Sequence, residues 1–294
     1  MIRGSIPAIV TPMQEDGALD LAALRRLLDW HIAEGSDAVV VVGTTGESPT
    51  VDMEEHCTLI RVATEHVAGR IPVIAGTGAN STREAVELAQ CARAAGASAH
   101  LSVVPYYNKP TQEGLFQHFK AVAEAVDIPI LLYNVPPRTG GDMQVETVIR
   151  LSQVKNIVGI KDSSGDLSLL STYLNAQTER FAVFTGNAQV LATALRSGVK
   201  GGILAVSTFL PELTLAVYDR AAAGDATAAT AAQGRLTPVA AEIVGTMGVA
   251  GVKAAHDAVG LVGGAPRSPL LPATDEVREQ VKALIAGATA AAAR

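Results

Sequence analysis

Eight short runs of β-branched and other apolar residues recur along the chain at similar intervals, and longer amphipathic segments fill the gaps between them. The runs are "IPAIV" (6–10), "DAVVVVG" (37–43), "PVIAGT" (72–77), "SAHLSVV" (98–104), "PILLYN" (129–134), "NIVGIK" (156–161), "FAVFTG" (181–186) and "GGILAVS" (201–207). They read as strands. Intervening stretches such as "LAALRRLLDWHIAEG" and "EAVELAQCARAAG" space their apolar residues three and four apart and end in glycine, as helices do. Strand–helix alternation builds a parallel sheet, and eight repeats predict an α/β fold closed as a (β/α)8 TIM barrel. A doubly wound open sheet is the competing architecture, but it usually has fewer strands, and its dinucleotide fingerprint is missing. From about Pro211 no further strand is predicted. The remainder reads as helices separated by "AAGDAT", "GTMGVAG" and "GGAPRSPLLP", so the expected organisation is a catalytic barrel over 1–224 and a C-terminal helical domain over 225–294. The alanine-rich end, "AGATAAAAR", reads as a fraying helix.

Composition narrows the function classes. With 48% hydrophobic and 18% charged residues in 294, the chain can bury a large core. A net charge of −6 gives no electrostatic footprint for nucleic acid or an anionic membrane, so small-molecule chemistry is the default expectation. Cys57 and Cys91 both fall in helix-like patterns without metal-ligand spacing and are expected to be reduced, packed thiols. No signal-peptide h-region precedes the first strand, and no apolar run approaches the roughly 18 residues of a spanning helix. The cytoplasm is the expected compartment.

In barrels of this type the chemistry sits at the carboxyl ends of the strands. Those ends carry Thr11, "GTTGES" (43–48), "GTGANS" (76–81), "PYYNKP" (105–110), "YNVPPRTG" (133–140), Lys161, "TGN" (185–187) and Ser207. Hydroxyls, tyrosines and an arginine thus converge on one lysine. An ammonium is costly in a largely apolar barrel end, which favours the neutral, nucleophilic amine, and such an amine forms a Schiff base with a carbonyl substrate. A lysine that snorkels or pairs with Asp162 is the plain alternative. The six histidines form no ligand pair on one helix face and none joins a carboxylate cluster at a strand end, so no metal is expected. "GTGANS" lacks the third glycine of a dinucleotide loop and "GTTGES" lacks the Lys-Ser/Thr ending of a P-loop; both read as tight turns.

Taken in this order and spacing, "GTTGES", "GTGANS", "PYYNKPTQEGLFQHF", "LYNVPPRTG" and "GIKDSSGD" resemble the dihydrodipicolinate synthase group of the pyruvate-dependent class I aldolases, from about residue 2 to 210. The resemblance implies that Lys161 forms an imine with pyruvate, with no separate cofactor, and that the derived enamine adds to aspartate 4-semialdehyde on the route to diaminopimelate and lysine. It implies Tyr133 as proton carrier, Thr44 as a hydroxyl linking Tyr133 to Tyr107, and Tyr107 reaching in from a neighbouring subunit of a homo-oligomer, expected to be a tetramer. Thr45 would hold the pyruvate carboxylate, Arg138 the carboxylate of the aldehyde, and Gly186 and Ile203 would line the site through backbone groups. Tyr106 and Tyr107, adjacent in one loop, cannot both face the same way. Ser48, His56, Asn80, Glu84 and Tyr106 match the cleft in which lysine-inhibited members bind L-lysine, so feedback inhibition is expected.

One departure bears on specificity. Related members commonly carry Asn-Pro-x-Pro-x-Lys after the barrel, whereas this chain has "GTMGVAGVKAA" (245–255), with only Lys253 in register. That form is closer to 4-hydroxy-2-oxoglutarate and sugar-acid aldolases, which are the alternative activity; Arg138, suited to a short carboxylated aldehyde, favours the synthase. A barrel that had lost its activity and served as a scaffold would usually lack the lysine or the proton carrier, and both are present.

Overall fold

The computed structural model describes residues 2–290, and the end of the alanine-rich tail lies outside them. All eight expected strands form: β1 (Gly4–Pro7), β2 (Val39–Val41), β3 (Val73–Gly76), β4 (Ala99–Val103), β5 (Ile130–Asn134), β6 (Ile157–Asp162), β7 (Ala182–Thr185) and β8 (Gly201–Leu204). They pair in the order β1-β8-β7-β6-β5-β4-β3-β2. A parallel bridge between Ala8 and Val40 joins β1 to β2 and closes the sheet, so the fold is a TIM barrel and not an open doubly wound layer. Around it run α1 (Leu21–Ala33), α2 (Met53–Val67), α3 (Thr82–Ala94), α4 (Gln112–Ala125), the single turn α5 (Pro136–Thr139), α6 (Val145–Leu151), α7 (Leu167–Tyr173), α8 (Leu191–Ser197) and α9 (Pro211–Ala222). The C-terminal helices are α10 (Ala226–Val239), α11 (Gly248–Ala258) and α12 (Asp275–Ala290).

The helices form where caps and periodicity agree. Asp52 opens α2 by accepting from the Glu55 backbone N–H at 2.9 Å while the Glu55 side chain accepts from the Asp52 N–H at 3.2 Å, a reciprocal capping box. Behind it Leu59, Ile60, Ala63 and Val67 recur on one face and are buried. Strands alternate instead. In β5, Leu131 and Tyr133 enter the cluster inside the barrel with Ile6, Val40, Phe184 and Ile203. Ile130 and Leu132 point outward, into the layer beneath the helices. That period of two fixes which residues of each strand end can reach the barrel axis.

Three expectations need correction. The first ladder occupies residues 4–7, not 6–10; beyond it Ala8 and Ile9 keep single bonds to Leu204 O and Val40 O, and Val10 is buried past the last of them, so apolar character outruns the ladder. "GTMGVAG" is not a loop between helices, because α10 passes into a wide π-type stretch at Ala240–Thr246 and α11 begins at Gly248. Pro238, inside α10, lacks an N–H and crowds the carbonyl four residues earlier, which promotes such widening. Finally, Cys57 and Cys91 are joined in a disulfide and are not free thiols. The side-by-side packing of α2 and α3 brings their Cα atoms to 5.8 Å, within bridging range, a proximity that no local pattern reveals.

Candidate active site

The parallel register of β5 with β6 sets Tyr133 opposite Lys161. Both point into the barrel, and the Lys161 ammonium nitrogen lies 4.1 Å from the centre of the Tyr133 ring. Lys161 is 6% exposed, so the amine is reached only from the mouth. The cavity above it, about 240 Å³, is lined by Thr44, Thr45, Tyr133, Arg138, Lys161, Ser163 and Gly186 among others. It meets a second chamber of about 220 Å³ that shares Thr44, Tyr133 and Arg138.

Burial alone would push the Tyr133 phenol up, but the Lys161 charge, the Ser163 and Thr44 hydroxyls and the Arg138 guanidinium outweigh it and hold the phenol below the ordinary tyrosine range. A group so placed gives and takes a proton close to the amine. Gly186 supplies room: a Cβ there would stand 1.8 Å from the Ser163 hydroxyl and 2.6 Å from Lys161 Cε, so this position accepts no side chain without displacing the lysine. Arg138 sits on α5, whose chain is turned by Pro136 at its start, and extends exposed over the mouth.

The turn from Gly43 to Ser48 is held at both ends by backbone bonds, Glu47 N–H to Thr44 O at 3.1 Å and Ser48 N–H to Gly43 O at 3.2 Å. Thr11 donates to Gly46 O at 2.7 Å. The turn is strained. Val42 and Glu47, neither of them glycine, have φ of 52° and 60°, conformations that typically cost about 1–3 kcal/mol each and persist only when surroundings enforce them.

Most of the expected site residues meet here. Thr44, Thr45, Tyr133, Arg138, Lys161 and Gly186 line one cavity. Ile203 lies deeper, in the interior layer, and Ala205 and Val206 form the cavity wall after β8. Tyr107 does not reach this chain's own mouth: it is 93% exposed, with φ of 67°, while its neighbour Tyr106 turns inward. Ser48, His56, Asn80, Glu84 and Tyr106 together line a separate cavity of about 130 Å³ beside the second chamber. There His56 Nε2 lies 2.6 Å from Gly76 O; a carbonyl only accepts, so Nε2 carries the proton and Nδ1 keeps the lone pair. Burial holds His56 below the ordinary histidine range. Asn80 Oδ1 accepts from the Tyr106 N–H at 2.7 Å, fixing the loop. Burial and the nearby Glu84 raise the Tyr106 phenol.

Ser163 was not among the expected residues, although its signal was present: it stands two positions after Lys161, and the period of two puts it on the same face. Among the described residues no group of three or more His, Cys, Asp or Glu gathers in metal-binding geometry.

A strand-end lysine facing a phenol, inside a (β/α)8 barrel and beneath a guanidinium, defines a Schiff-base-forming carbonyl enzyme. The chain belongs to the dihydrodipicolinate synthetase family, whose sequence profile matches residues 1–288. It is 50% identical over 281 residues to the 4-hydroxy-tetrahydrodipicolinate synthase of Azoarcus sp. (strain BH72), covering 96% of each chain. It is 56% identical over 225 residues to the enzyme of the same name from Dechloromonas aromatica (strain RCB), covering 76% of this chain and 77% of that one. Among solved structures, the chloride-inhibited dihydrodipicolinate synthase of Acinetobacter baumannii complexed with pyruvate superposes with a TM-score of 0.94 at 42% identity, covering 98% of this chain and 99% of that one.

Proposed function

We infer that the chain condenses pyruvate with L-aspartate 4-semialdehyde to give 4-hydroxy-tetrahydrodipicolinate, a step of diaminopimelate and lysine synthesis. The observation that carries this reading is the buried Lys161 amine against the Tyr133 ring at the barrel mouth, in a chain half identical to synthases of that name along nearly its whole length. That identity favours the synthase over a 4-hydroxy-2-oxoglutarate or sugar-acid aldolase, despite "GTMGVAGVKAA".

The Lys161 amine adds to the pyruvate ketone, and loss of water from the carbinolamine leaves the imine. Tyr133 carries the protons of this dehydration, with Thr44 as its hydroxyl partner. Removal of a methyl proton gives the enamine, whose carbon attacks the aldehyde and forms the new C–C bond. The amino group of the bound product then attacks the imine carbon, closes a six-membered ring and releases Lys161. Thr45 holds the pyruvate carboxylate and Arg138 that of the semialdehyde, where a planar guanidinium can take two oxygens at once. Gly186 and Ile203 line the site through backbone groups. No cofactor enters these steps.

The exposed Tyr107 supports assembly as a homo-oligomer, a tetramer of tight dimers, in which Tyr107 completes the relay of the facing subunit. A solved relative, 37% identical with a TM-score of 0.92, is described as a monomeric dihydrodipicolinate synthase variant, so assembly is decided by measurement: a fully active monomer in light scattering removes the shared relay. The gathered Ser48, His56, Asn80, Glu84 and Tyr106 support L-lysine feedback. Glu84 suits the α-ammonium, Asn80 and Tyr106 the carboxylate, and Ser48 and His56 the ε-ammonium. Lysine should slow the parent and leave Glu84→Ala unaffected. No helix among the described residues is long and apolar enough to cross a membrane, and a biosynthetic role of this kind suits the cytoplasm.

The central test is borohydride reduction with pyruvate, followed by peptide mass spectrometry. A reduced three-carbon adduct on Lys161, absent in Lys161→Arg, is expected; an adduct on another lysine overturns the assignment. A coupled assay comparing aspartate semialdehyde with 4-hydroxy-2-oxoglutarate cleavage decides the acceptor.

A further inference from the structure

Glu47 is an acid sealed from water. Its side chain is 1% exposed and that of Lys253, on α11, is 2% exposed, and Glu47 Oε1 stands 2.5 Å from Lys253 Nζ. The second carboxylate oxygen accepts from the Arg267 backbone N–H at 2.8 Å, and Lys253 Nζ also donates to Ala265 O at 2.7 Å. The segment that supplies these groups approaches closely because it is glycine-built: a Cβ on Gly263 would lie 2.1 Å from Lys253 O, and one on Gly264, where φ is +74°, would lie 2.4 Å from Met13 O. The Arg267 guanidinium then ties the segment down, donating to both oxygens of Glu55 and to the carbonyls of Gly17 and Thr50.

A buried ion pair is a poor source of stability, since two apolar side chains of similar volume commonly hold a fold as well or better. What a carboxylate provides and an alkyl group does not is direction. Glu47 closes the turn that carries Thr44 and Thr45, its own N–H bonded to Thr44 O, and its backbone occupies a conformation that must be enforced from outside. The enforcing groups are Lys253 and the Arg267 N–H, both from beyond the barrel.

We propose that the Glu47–Lys253 pair positions the Gly43–Ser48 turn for catalysis, setting Thr44 against Tyr133 and Thr45 toward the cavity, so that α11 acts on the condensation through this contact. Neither residue touches substrate; both are positioning residues. The proposal rests on the reading of Lys161, Tyr133 and Thr44 given above.

The test compares Glu47→Gln, Lys253→Met and the double variant in the full-length protein, reading kcat, thermal midpoint and the rate of borohydride-trapped pyruvate adduct at Lys161. Each single variant leaves one charge buried without its partner and should lower both the midpoint and kcat, the latter at least tenfold. The double variant removes both charges. It should regain most of the midpoint while kcat and trapping rate stay at least tenfold below the parent, because the amide keeps only the Arg267 N–H as a partner and the thioether offers no donor in place of the Lys253 ammonium. If kcat returns with the midpoint in the double variant, or the single variants lose midpoint but keep kcat, the pair is structural only and the proposal is overturned. Should the single variants fail to fold, the double variant still decides. A parent that traps no pyruvate at Lys161 overturns the site reading itself, and this proposal with it, whereas normal trapping in the parent confines any failure to the pair.

Discussion

Tyr133 shows how much a single side chain's surroundings change its chemistry. Isolated in an apolar barrel its phenol would be harder to ionise than in water, yet Lys161, Ser163, Thr44 and Arg138 reverse the sign. Two results follow for Tyr133→Phe. Turnover should fall by about 10²–10⁴-fold, the usual contribution of a positioned proton carrier, with little change in folding, since only the hydroxyl is lost. In the parent, deprotonation of the phenol should also depress kcat at a pH below the ordinary tyrosine value of about 10, and this alkaline limb should be missing from the residual activity of the variant. A pH–rate profile of both proteins checks it; a parent profile flat to pH 10 removes Tyr133 from the proton path. At this scale the sequence was readable where one strand end explains a residue. Lys161 ends a core strand and Ser163 lies on its face, whereas Glu47 binds the Arg267 N–H 220 residues away, and nothing around "GTTGES" marks that acid as buried.

Between elements, β5 and β6 are joined twice at the same level. Inside the barrel, Tyr133 faces Lys161; on the outer face the next pair in register is Asn134 with Asp162. The Asn134 amide lies 2.9 Å from Asp162 Oδ1, 3.0 Å from Asp142 Oδ1 and 3.2 Å from the Tyr173 hydroxyl, and its oxygen accepts from the Met143 N–H at 3.2 Å. Tyr173 in turn donates to Met143 O. Burial raises the Asp162 carboxyl above the usual range, with Ser164 and Asn134 opposing the rise. Asn134→Ala should therefore cost about 2–3 kcal/mol, since it strands a backbone N–H and removes a donor from two carboxylates, and denaturant unfolding measures it. A loss below about 0.5 kcal/mol means that the knot holds nothing. The strands were legible because period and β-branching agree over their lengths, with β1 displaced by the apolar residues after it. The π-type stretch and the Cys57–Cys91 bridge were not, for both depend on how neighbouring helices pack.

Across the whole molecule, five buried histidines share one property, His56 of the separate cavity among them, held below its ordinary value by burial. Burial pushes His31 down to about 3 and His100, His118 and His256 to about 4, against an ordinary value of 6.5. His256 is also fixed by Val252 O at 2.8 Å and Thr208 Oγ1 at 3.1 Å. The folded chain keeps these rings neutral while the unfolded chain protonates them below about pH 6.5. Their contribution is thus whole above that pH and is lost progressively as the pH falls toward 4. The thermal midpoint should drop across this interval, and His256→Gln should make the drop shallower; equal slopes in the two proteins would show that His256 is not part of the acid sensitivity. The barrel itself was legible at this scale, because eight repeats leave few other ways to bury eight strands.

The grip of Arg267 on Gly17, 250 residues earlier, also sets a time. A ribosome delivers the chain from its first strand onward, and Lys161, Tyr133 and the whole barrel emerge before the segment that pins the turn after β2. The nascent protein should therefore own its nucleophile long before it can use it well. Chains stalled with residue 240 just outside the exit tunnel should trap pyruvate with borohydride far more slowly than chains stalled past residue 290, and equal rates would show that the mouth finishes itself without its tail. Full activity would begin only once the segment around Lys253 and Arg267 has folded back onto the mouth, sparing the shorter polypeptide from covalent capture by a common metabolite.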